Sequence, residues 1–94
     1  MTRFARSPGV VQRRVAGEMV LVAVAPPGGG AGDFFVLNET AAAIWEHLDR
    51  PRSEGEVARY LIEKFEIDEA EAVSDVRTFL EDMRRHAVIT DHGQ

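Results

Sequence analysis

The spacing of apolar residues changes partway along the chain. Residues 10–15 and 19–24 are rich in valine, and the turn-forming sequence 16–18 separates them, so the pattern predicts a β-hairpin. Residues 26–32 read Pro-Pro-Gly-Gly-Gly-Ala-Gly. Proline removes backbone donors and glycine frees the backbone, so this stretch is predicted to be a loop. Residues 33–37 then form a third predicted strand.

The third predicted strand is apolar on both of its faces. Strand alternation places Phe34 and Val36 on one face and Phe35 and Leu37 on the other. Three strands leave two edges, and a short sheet cannot hide both of them. We therefore expect this strand at an accessible sheet edge, next to the helices that follow, where an extended peptide can dock.

Three amphipathic helices are predicted after the strands, each behind a capping residue. Asn38 caps a helix over residues 39–48, and Ser53 with Glu56 forms a capping box for a second helix that runs through Phe65. Asp68 caps the third helix. Apolar stripes at helical spacing are Ala41, Ile44, Trp45 and Leu48; Val57, Tyr60, Leu61 and Phe65; and Ala72, Val73, Val76, Leu80 and Met83.

The order of these elements predicts the fold class. Three strands followed by three helices show no alternation of strand and helix, so we expect an α+β domain with helices on one face of a three-stranded antiparallel sheet. We expect the 94 residues to form a single domain, residues 1–94. Residues 88–89 are expected to pack back onto it as a C-terminal tail.

Composition narrows the classes of function. Sixteen acidic and eleven basic residues give a net charge of -5, which disfavours nucleic acid. The absence of cysteine excludes disulfides, thiolate nucleophiles and cysteine-based zinc sites. The longest apolar run, residues 19–27, is about half of a membrane span, and no signal peptide pattern opens the chain. We expect a cytoplasmic protein without membrane contact.

Catalytic and metal-binding motifs are not apparent. The histidines lack zinc-site spacing, which leaves His86, Asp91 and His92 as a weak candidate set. No serine lies in a nucleophile motif, and the glycine-rich loop 28–32 lacks the Lys-Ser/Thr ending of a phosphate-binding loop. The sequence therefore favours binding over catalysis, with no metal and no cofactor.

One flank of the third predicted helix differs from the rest of its surface. A helical wheel places Asp75, Phe79, Asp82 and His86 together at the margin of the buried stripe. Phe79 is an aromatic among polar neighbours, so it either closes the core against Phe34 or Phe35 or faces a ligand. A groove between this flank and the third strand is the candidate site.

The rival interpretation of the same elements is a DNA-binding winged helix-turn-helix with the hairpin as wing, although its helices are acidic.

Three segments together resemble the pyrroloquinoline quinone (PQQ) biosynthesis protein D family. They are residues 37–49, Leu-Asn-Glu-Thr-Ala-Ala-Ala-Ile-Trp-Glu-His-Leu-Asp; residues 53–57, Ser-Glu-Gly-Glu-Val; and residues 75–83, Asp-Val-Arg-Thr-Phe-Leu-Glu-Asp-Met. Their order and spacing extend the resemblance over residues 10–90. The family is the prototype of the recognition element for ribosomally made, post-translationally modified peptides (RiPPs).

The resemblance implies a non-catalytic, winged helix-turn-helix-like domain that binds a peptide. The leader of a precursor peptide would pair with the third strand against the third helix, for delivery to a modifying enzyme, either a radical S-adenosylmethionine enzyme or a protease and cyclase. The implied peptide-binding residues are Phe34, Phe35, Val36, Leu37, Asp75, Val76, Phe79, Leu80, Asp82 and Met83. Asp75 or Asp82 would contact a basic leader residue.

Two departures from the family accompany the resemblance. The family's third helix usually runs into Gly-Leu, where this chain has His-Ala-Val-Ile at 86–89, and the glycine-rich insert replaces a tight second hairpin. Members of PQQ, lasso-peptide and other pathways share the motifs, so the pathway stays open. A monomer or homodimer is expected. A transcription regulator and a dimerisation or adaptor module that uses the same edge are the alternatives.

Overall fold

The computed structural model describes residues 2–23 and 34–92, so the loop predicted over 26–32 lies outside the described residues. It has a mixed α and β architecture with three helices. The elements are β1 (Arg3–Arg6), β2 (Val10–Val15), β3 (Glu18–Ala23), β4 (Phe34–Leu37), α1 (Glu39–His47), β5 (Arg52–Ser53), α2 (Glu54–Phe65), α3 (Glu69–Arg85) and β6 (Ile89–His92).

The predicted three-stranded antiparallel sheet is confirmed, in the order β2-β3-β4. Ala16 and Gly17 both have positive φ, 52° and 84°, which is the geometry of the tight hairpin turn between β2 and β3. The register pairs Met19 with Leu37 and Leu21 with Phe35. Because Met19, Leu21 and Leu37 are buried, this face of the sheet covers the core.

A second antiparallel sheet, in the order β5-β1-β6, was not predicted. It joins both ends of the described chain, with Arg3 opposite His92 and Arg6 opposite Ile89. Its strands are two to four residues long and rich in charge, so they carry no alternating pattern. The order of elements therefore differs from the predicted three strands followed by three helices. The predicted C-terminal tail, residues 88–89, is buried and leads into β6, which begins at Ile89.

The helix caps form as predicted. The side chain of Asn38 accepts a hydrogen bond from the N–H of Ala41 at 2.8 Å. The capping box is complete, since the N–H of Glu56 donates to Ser53 Oγ at 3.2 Å and the N–H of Ser53 donates to Glu56 Oε1 at 2.8 Å. Asp68 accepts from the N–H of Glu71 at 2.7 Å. These caps set where each helix begins.

The three helices enclose one core with the inner face of the β2-β3-β4 sheet. Trp45 is its largest buried side chain, and its indole N–H donates to Gln12 Oε1 at 2.8 Å. The guanidinium of Arg6 lies 4.9 Å from the centroid of the Trp45 ring, and its Nε donates to the Trp45 carbonyl oxygen at 3.0 Å. Arg6 thereby attaches β1 to the end of α1.

The end of α3 is a Schellman motif built on alanine. The N–H of Val88 donates to the Met83 carbonyl at 2.8 Å, and the N–H of Ala87 donates to the Arg84 carbonyl at 3.0 Å. Ala87 has φ of 60°, the left-handed conformation for which glycine is usual at this position. The chain therefore turns into β6 without the glycine that the resemblance implies.

Candidate functional site

The candidate site begins at strand β4, which is an edge of its sheet. β4 pairs with β3 on one side, and no other strand within residues 2–23 and 34–92 pairs with it. In an antiparallel edge strand, the backbone N–H and C=O groups of alternate residues point away from the sheet. β4 thus offers a template for one more strand, as its position in the sequence predicts.

The side chains of β4 divide between its two faces. Leu37 is buried and Phe35 is half-buried on the core side, whereas Phe34 and Val36 are 69% and 56% exposed on the outer side. The suggestion that Phe34 closes the core against Phe79 is therefore wrong. A peptide strand paired with this edge would therefore lie beside β4 side chains on both faces of the sheet. Phe35 and Leu37 are on the core side, and Phe34 and Val36 are on the outer side.

A groove of about 340 Å³ adjoins the end of β4 and is lined by residues of both α1 and α3. Leu37, Asn38, Thr40, Ala41 and Ile44 form the side made by β4 and α1, and Asp75, Thr78, Phe79, Asp82 and Met83 form the α3 side. Phe79 is 7% exposed, so it packs in the core, and it also lines the groove. A ligand-facing role for Phe79 stays a prediction.

The α3 side of the groove carries the negative charge. Asp75 and Asp82 are both partly buried along this side. Asp82 lies 3.3 Å from Arg85, whereas Asp75 makes no ion pair within the described ranges 2–23 and 34–92. An apolar groove with an acidic margin suits a peptide that has an apolar side chain followed by a lysine or arginine.

Five of the ten predicted peptide-binding residues line the groove together: Leu37, Asp75, Phe79, Asp82 and Met83. Phe34, Phe35 and Val36 belong to the adjoining strand. Val76 and Leu80 are 0% and 3% exposed and lie in the core, and neither lines the groove, so their role in peptide binding stays a prediction.

Sequence reasoning did not include the residues that α1 contributes. Thr40, Ala41 and Ile44 form one wall of the groove, although Ala41 and Ile44 were assigned only to the core stripe. The helical wheel places His86 on the same flank as Asp82, although His86 is not among the ten predicted peptide-binding residues and does not line the groove. Its ring packs edge to face against Phe35, with centroids 5.2 Å apart. The spacing of His86 from Asp82, i and i+4 on one helix, was the signal that pointed to it.

Two further features of the described residues concern metal binding and membrane spanning. No three His, Cys, Asp or Glu side chains gather where they could hold a metal ion among these residues. None of the described helices is both long and apolar enough to cross a membrane.

Three solved structures share the fold. A lasso peptide synthetase B1 complexed with the leader peptide is 24% identical, with a TM-score of 0.73 over 93% of this chain and 96% of the other. TbiB1 in complex with the TbiA(beta) leader peptide is 20% identical, with a TM-score of 0.75 over 96% and 99%. At these identities the likeness concerns the fold alone.

The third structure is the PqqD truncation of Methylobacterium extorquens PqqCD, described as a functional and stand-alone RiPP recognition element. It is 21% identical, with a TM-score of 0.71 over 94% of this chain and 88% of the other.

No curated protein matches the chain. The family model for coenzyme PQQ synthesis protein D (PqqD) matches residues 18–89, which include the hairpin's second strand, all three helices and the groove. The chain therefore belongs to the PqqD family.

Proposed function

We propose that the chain binds the leader segment of a ribosomally made precursor peptide as an added strand on β4 and presents the precursor to a maturation enzyme. The observation that carries this proposal is the edge of β4 with which no strand among residues 2–23 and 34–92 pairs, beside the groove between α1 and α3. Main-chain pairing with the edge supplies affinity, and the groove selects the side chains that alternate along the peptide.

Membership of the PqqD family and the leader-bound fold relatives support the same function. In this proposal the domain is a binding protein and not an enzyme. The partner is a radical S-adenosylmethionine enzyme or a protease and cyclase, and the domain works in the cytoplasm as a monomer or homodimer. Neither a metal nor a cofactor takes part.

Backbone methylation of the peptide tests strand addition directly. A synthetic leader peptide, from the precursor encoded beside this gene, is N-methylated at one residue at a time and titrated calorimetrically. Strand addition predicts micromolar or tighter binding of the unmodified peptide and a loss at every second position, because alternate N–H groups point toward β4. An even, position-independent effect would rule out pairing with the edge, and failure of the unmodified peptide to bind would rule out the function.

Filling the groove provides a second test. Thr78 lies on the rim of the groove and is exposed, so Thr78→Trp obstructs the groove without disturbing the core. Peptide affinity is expected to fall at least tenfold while the thermal midpoint changes little. Ala70→Trp, at an exposed position in the first turn of the same helix, is the matched control.

The winged helix-turn-helix arrangement, with the β2-β3 hairpin as wing, is the alternative within the same fold. DNA binding is disfavoured because α3 has five acidic residues, and its three arginines each pair with a carboxylate: Arg77 with Glu54, Arg84 with Asp91 and Arg85 with Asp82. Few cations are therefore available to phosphates. A salt-sensitive gel shift of a DNA duplex would favour this alternative.

A further inference from the structure

The register of the β2-β3-β4 sheet fixes which backbone groups of β4 point away from it. The two-residue turn at Ala16 and Gly17 closes on a hydrogen-bonded pair, Val15 with Glu18. Hydrogen-bonded and non-hydrogen-bonded pairs alternate along antiparallel strands, so a central strand bonds its two neighbours through alternate residues. Strand β3 therefore bonds β2 through Glu18 and every second residue after it, and it bonds β4 through the residues between.

This alternation divides the backbone groups of β4 between its two edges. The pairs that bond β4 to β3 are Met19 with Leu37 and Leu21 with Phe35. The N–H and C=O groups of the other two residues, Phe34 and Val36, consequently point away from β3. They lie on the edge with which no strand pairs in the part of the chain that the structure describes, so an added leader strand would bond to them.

Asn38 continues this outward row by one residue beyond the end of β4. Its backbone is still extended, with φ of -72° and ψ of 179°, so the alternation places its N–H on the same side as that of Val36. Among the described residues, no acceptor lies within hydrogen-bond distance of this N–H. The Asn38 carbonyl, by contrast, accepts from the N–H of Ala42 at 2.8 Å. Asn38 therefore adds one backbone donor to the edge, and no acceptor.

The first turn of α1 explains why this donor has no partner within the helix. In the capping box of α2, the N–H of Ser53 donates to Glu56 Oε1, three residues further on. The corresponding position of α1 is Ala41, whose side chain has no acceptor. Asn38 Oδ1 still accepts from the N–H of Ala41, but no side chain at that position returns a bond. Because Asn38 is exposed and lines the groove, its N–H is open to a peptide.

We propose that Asn38 is a further peptide-binding residue, whose backbone N–H donates to a carbonyl oxygen of the leader and extends the pairing past the end of β4. The inference rests on the proposed function. The bonds at Val36 and Asn38 lie on either side of Leu37, and Leu37 is the residue of β4 that lines the groove. The leader residue beside Leu37 is thereby held from both sides, with its side chain directed toward the groove. The ligand is thus a leader that stays extended past Val36 and has an apolar residue there.

Two substitutions in the full chain separate the backbone N–H of residue 38 from its side chain. Asn38→Pro and Asn38→Ala both remove the side-chain cap of α1, and only proline also removes the N–H. Proline fits this position, because its φ of about -65° is close to that of Asn38 and the preceding Leu37 is in a strand. The synthetic leader peptide is titrated calorimetrically into both variants, at a temperature where circular dichroism shows both to be folded. Affinity about tenfold lower for Asn38→Pro than for Asn38→Ala is expected.

Amide hydrogen exchange in the unsubstituted protein tests the same bond without a substitution. Leader peptide should slow exchange at Val36 and Asn38 by at least about tenfold, whereas Leu37, already bonded to β3, should be protected with or without peptide. Equal leader affinities of the two variants, or protection of Val36 without protection of Asn38, would overturn the role of Asn38 and leave strand addition intact. Absence of leader binding to the unsubstituted protein would instead overturn the proposed function.

Discussion

Phe35 and His86 meet edge to face, with ring centroids 5.2 Å apart and planes inclined by 64°. Phe35 belongs to the edge strand β4, and His86 is the C-cap residue that follows α3. The ring of His86 is oriented by its own helix, since Nδ1 lies 2.9 Å from the carbonyl oxygen of Asp82. That contact requires a proton on Nδ1, which donates to the carbonyl. The pair thus connects the edge strand to the end of α3.

Removal of this contact by His86→Ala should weaken peptide binding at a small cost to the fold. Phe35 belongs to the proposed peptide-binding strand, so loss of the His86 ring beside it is expected to lower leader affinity several-fold. Stability should fall by less than about 1 kcal/mol, because His86 is exposed. Calorimetric titration and urea unfolding measure the two effects. His92→Ala, at an exposed position of β6, is the control, and equal affinities of the His86 and His92 variants would contradict a role for the pair.

The acidic margin of the groove predicts a charge effect on peptide binding. Asp75 is partly buried and has no ion pair in the described part of the chain, so Asp75→Asn should reduce affinity for a leader with lysine or arginine at the facing position. A contribution of about 0.2–1 kcal/mol is expected, together with a weaker dependence on salt. Titrations at low and high ionic strength measure both.

Glu81→Gln controls for the change in net charge, since Glu81 lies on the same helix but outside the groove. Asp82→Asn should have a smaller effect than Asp75→Asn, because Arg85 already neutralises Asp82. Equal losses in the Asp75 and Glu81 variants would show that net charge alone matters.

Local signals account for the part of the fold that the sequence predicted. The hairpin and all three helices depend on alternation, on a two-residue turn and on capping side chains, each contained within a few residues. The second sheet was missed because it depends on pairing between opposite ends of the described chain, such as Arg3 with His92. Charged strands of two to four residues carry no periodic pattern from which this pairing could be predicted.

The candidate site was predictable to a similar extent. The edge strand and the flank of α3 follow from element order and from a helical wheel, and the groove brings five of those residues together. The contribution of α1 does not follow, because the angle at which helices pack decides whether Ala41 and Ile44 face the core or the groove. The outward direction of Phe34 also depends on which face of the sheet the helices cover.

The left-handed Ala87 predicts a stabilising substitution. An L-residue in this conformation costs about 1–2 kcal/mol, and glycine avoids that cost, although it adds about 0.4–1 kcal/mol of unfolded-state entropy. Ala87→Gly should therefore raise the free energy of unfolding by roughly 0.5–1 kcal/mol. Ala70→Gly, in the first turn of α3, should lower it, because Ala70 is helical and glycine is a poor helix former. Destabilisation by both substitutions would contradict the strain assigned to Ala87.

Glu56 joins the cap of α2 to the second sheet and predicts a specific pH dependence. Its Oε1 accepts from the Ser53 N–H and from Arg3 Nη1, each at 2.8 Å. The Ser53 backbone N–H and the charge of Arg3 lower the pKa of Glu56 below its ordinary value, in spite of some desolvation. A carboxylate with a depressed pKa stabilises the fold above its unfolded pKa, about 4.3, and this stabilisation is lost as pH falls through the folded pKa.

Glu56→Gln should consequently be less stable than the unsubstituted protein at pH 7 and at pH about 5.5, with a gap that narrows as pH falls below about 4. Urea unfolding over that range measures the gap. Glu63→Gln makes the same charge change at an exposed position of α2 and is the matched control. A gap that stays constant from pH 7 down to pH about 3 would mean that the glutamine side chain merely packs less well than glutamate, and that the ionised cap contributes nothing to the attachment of β1 to α2.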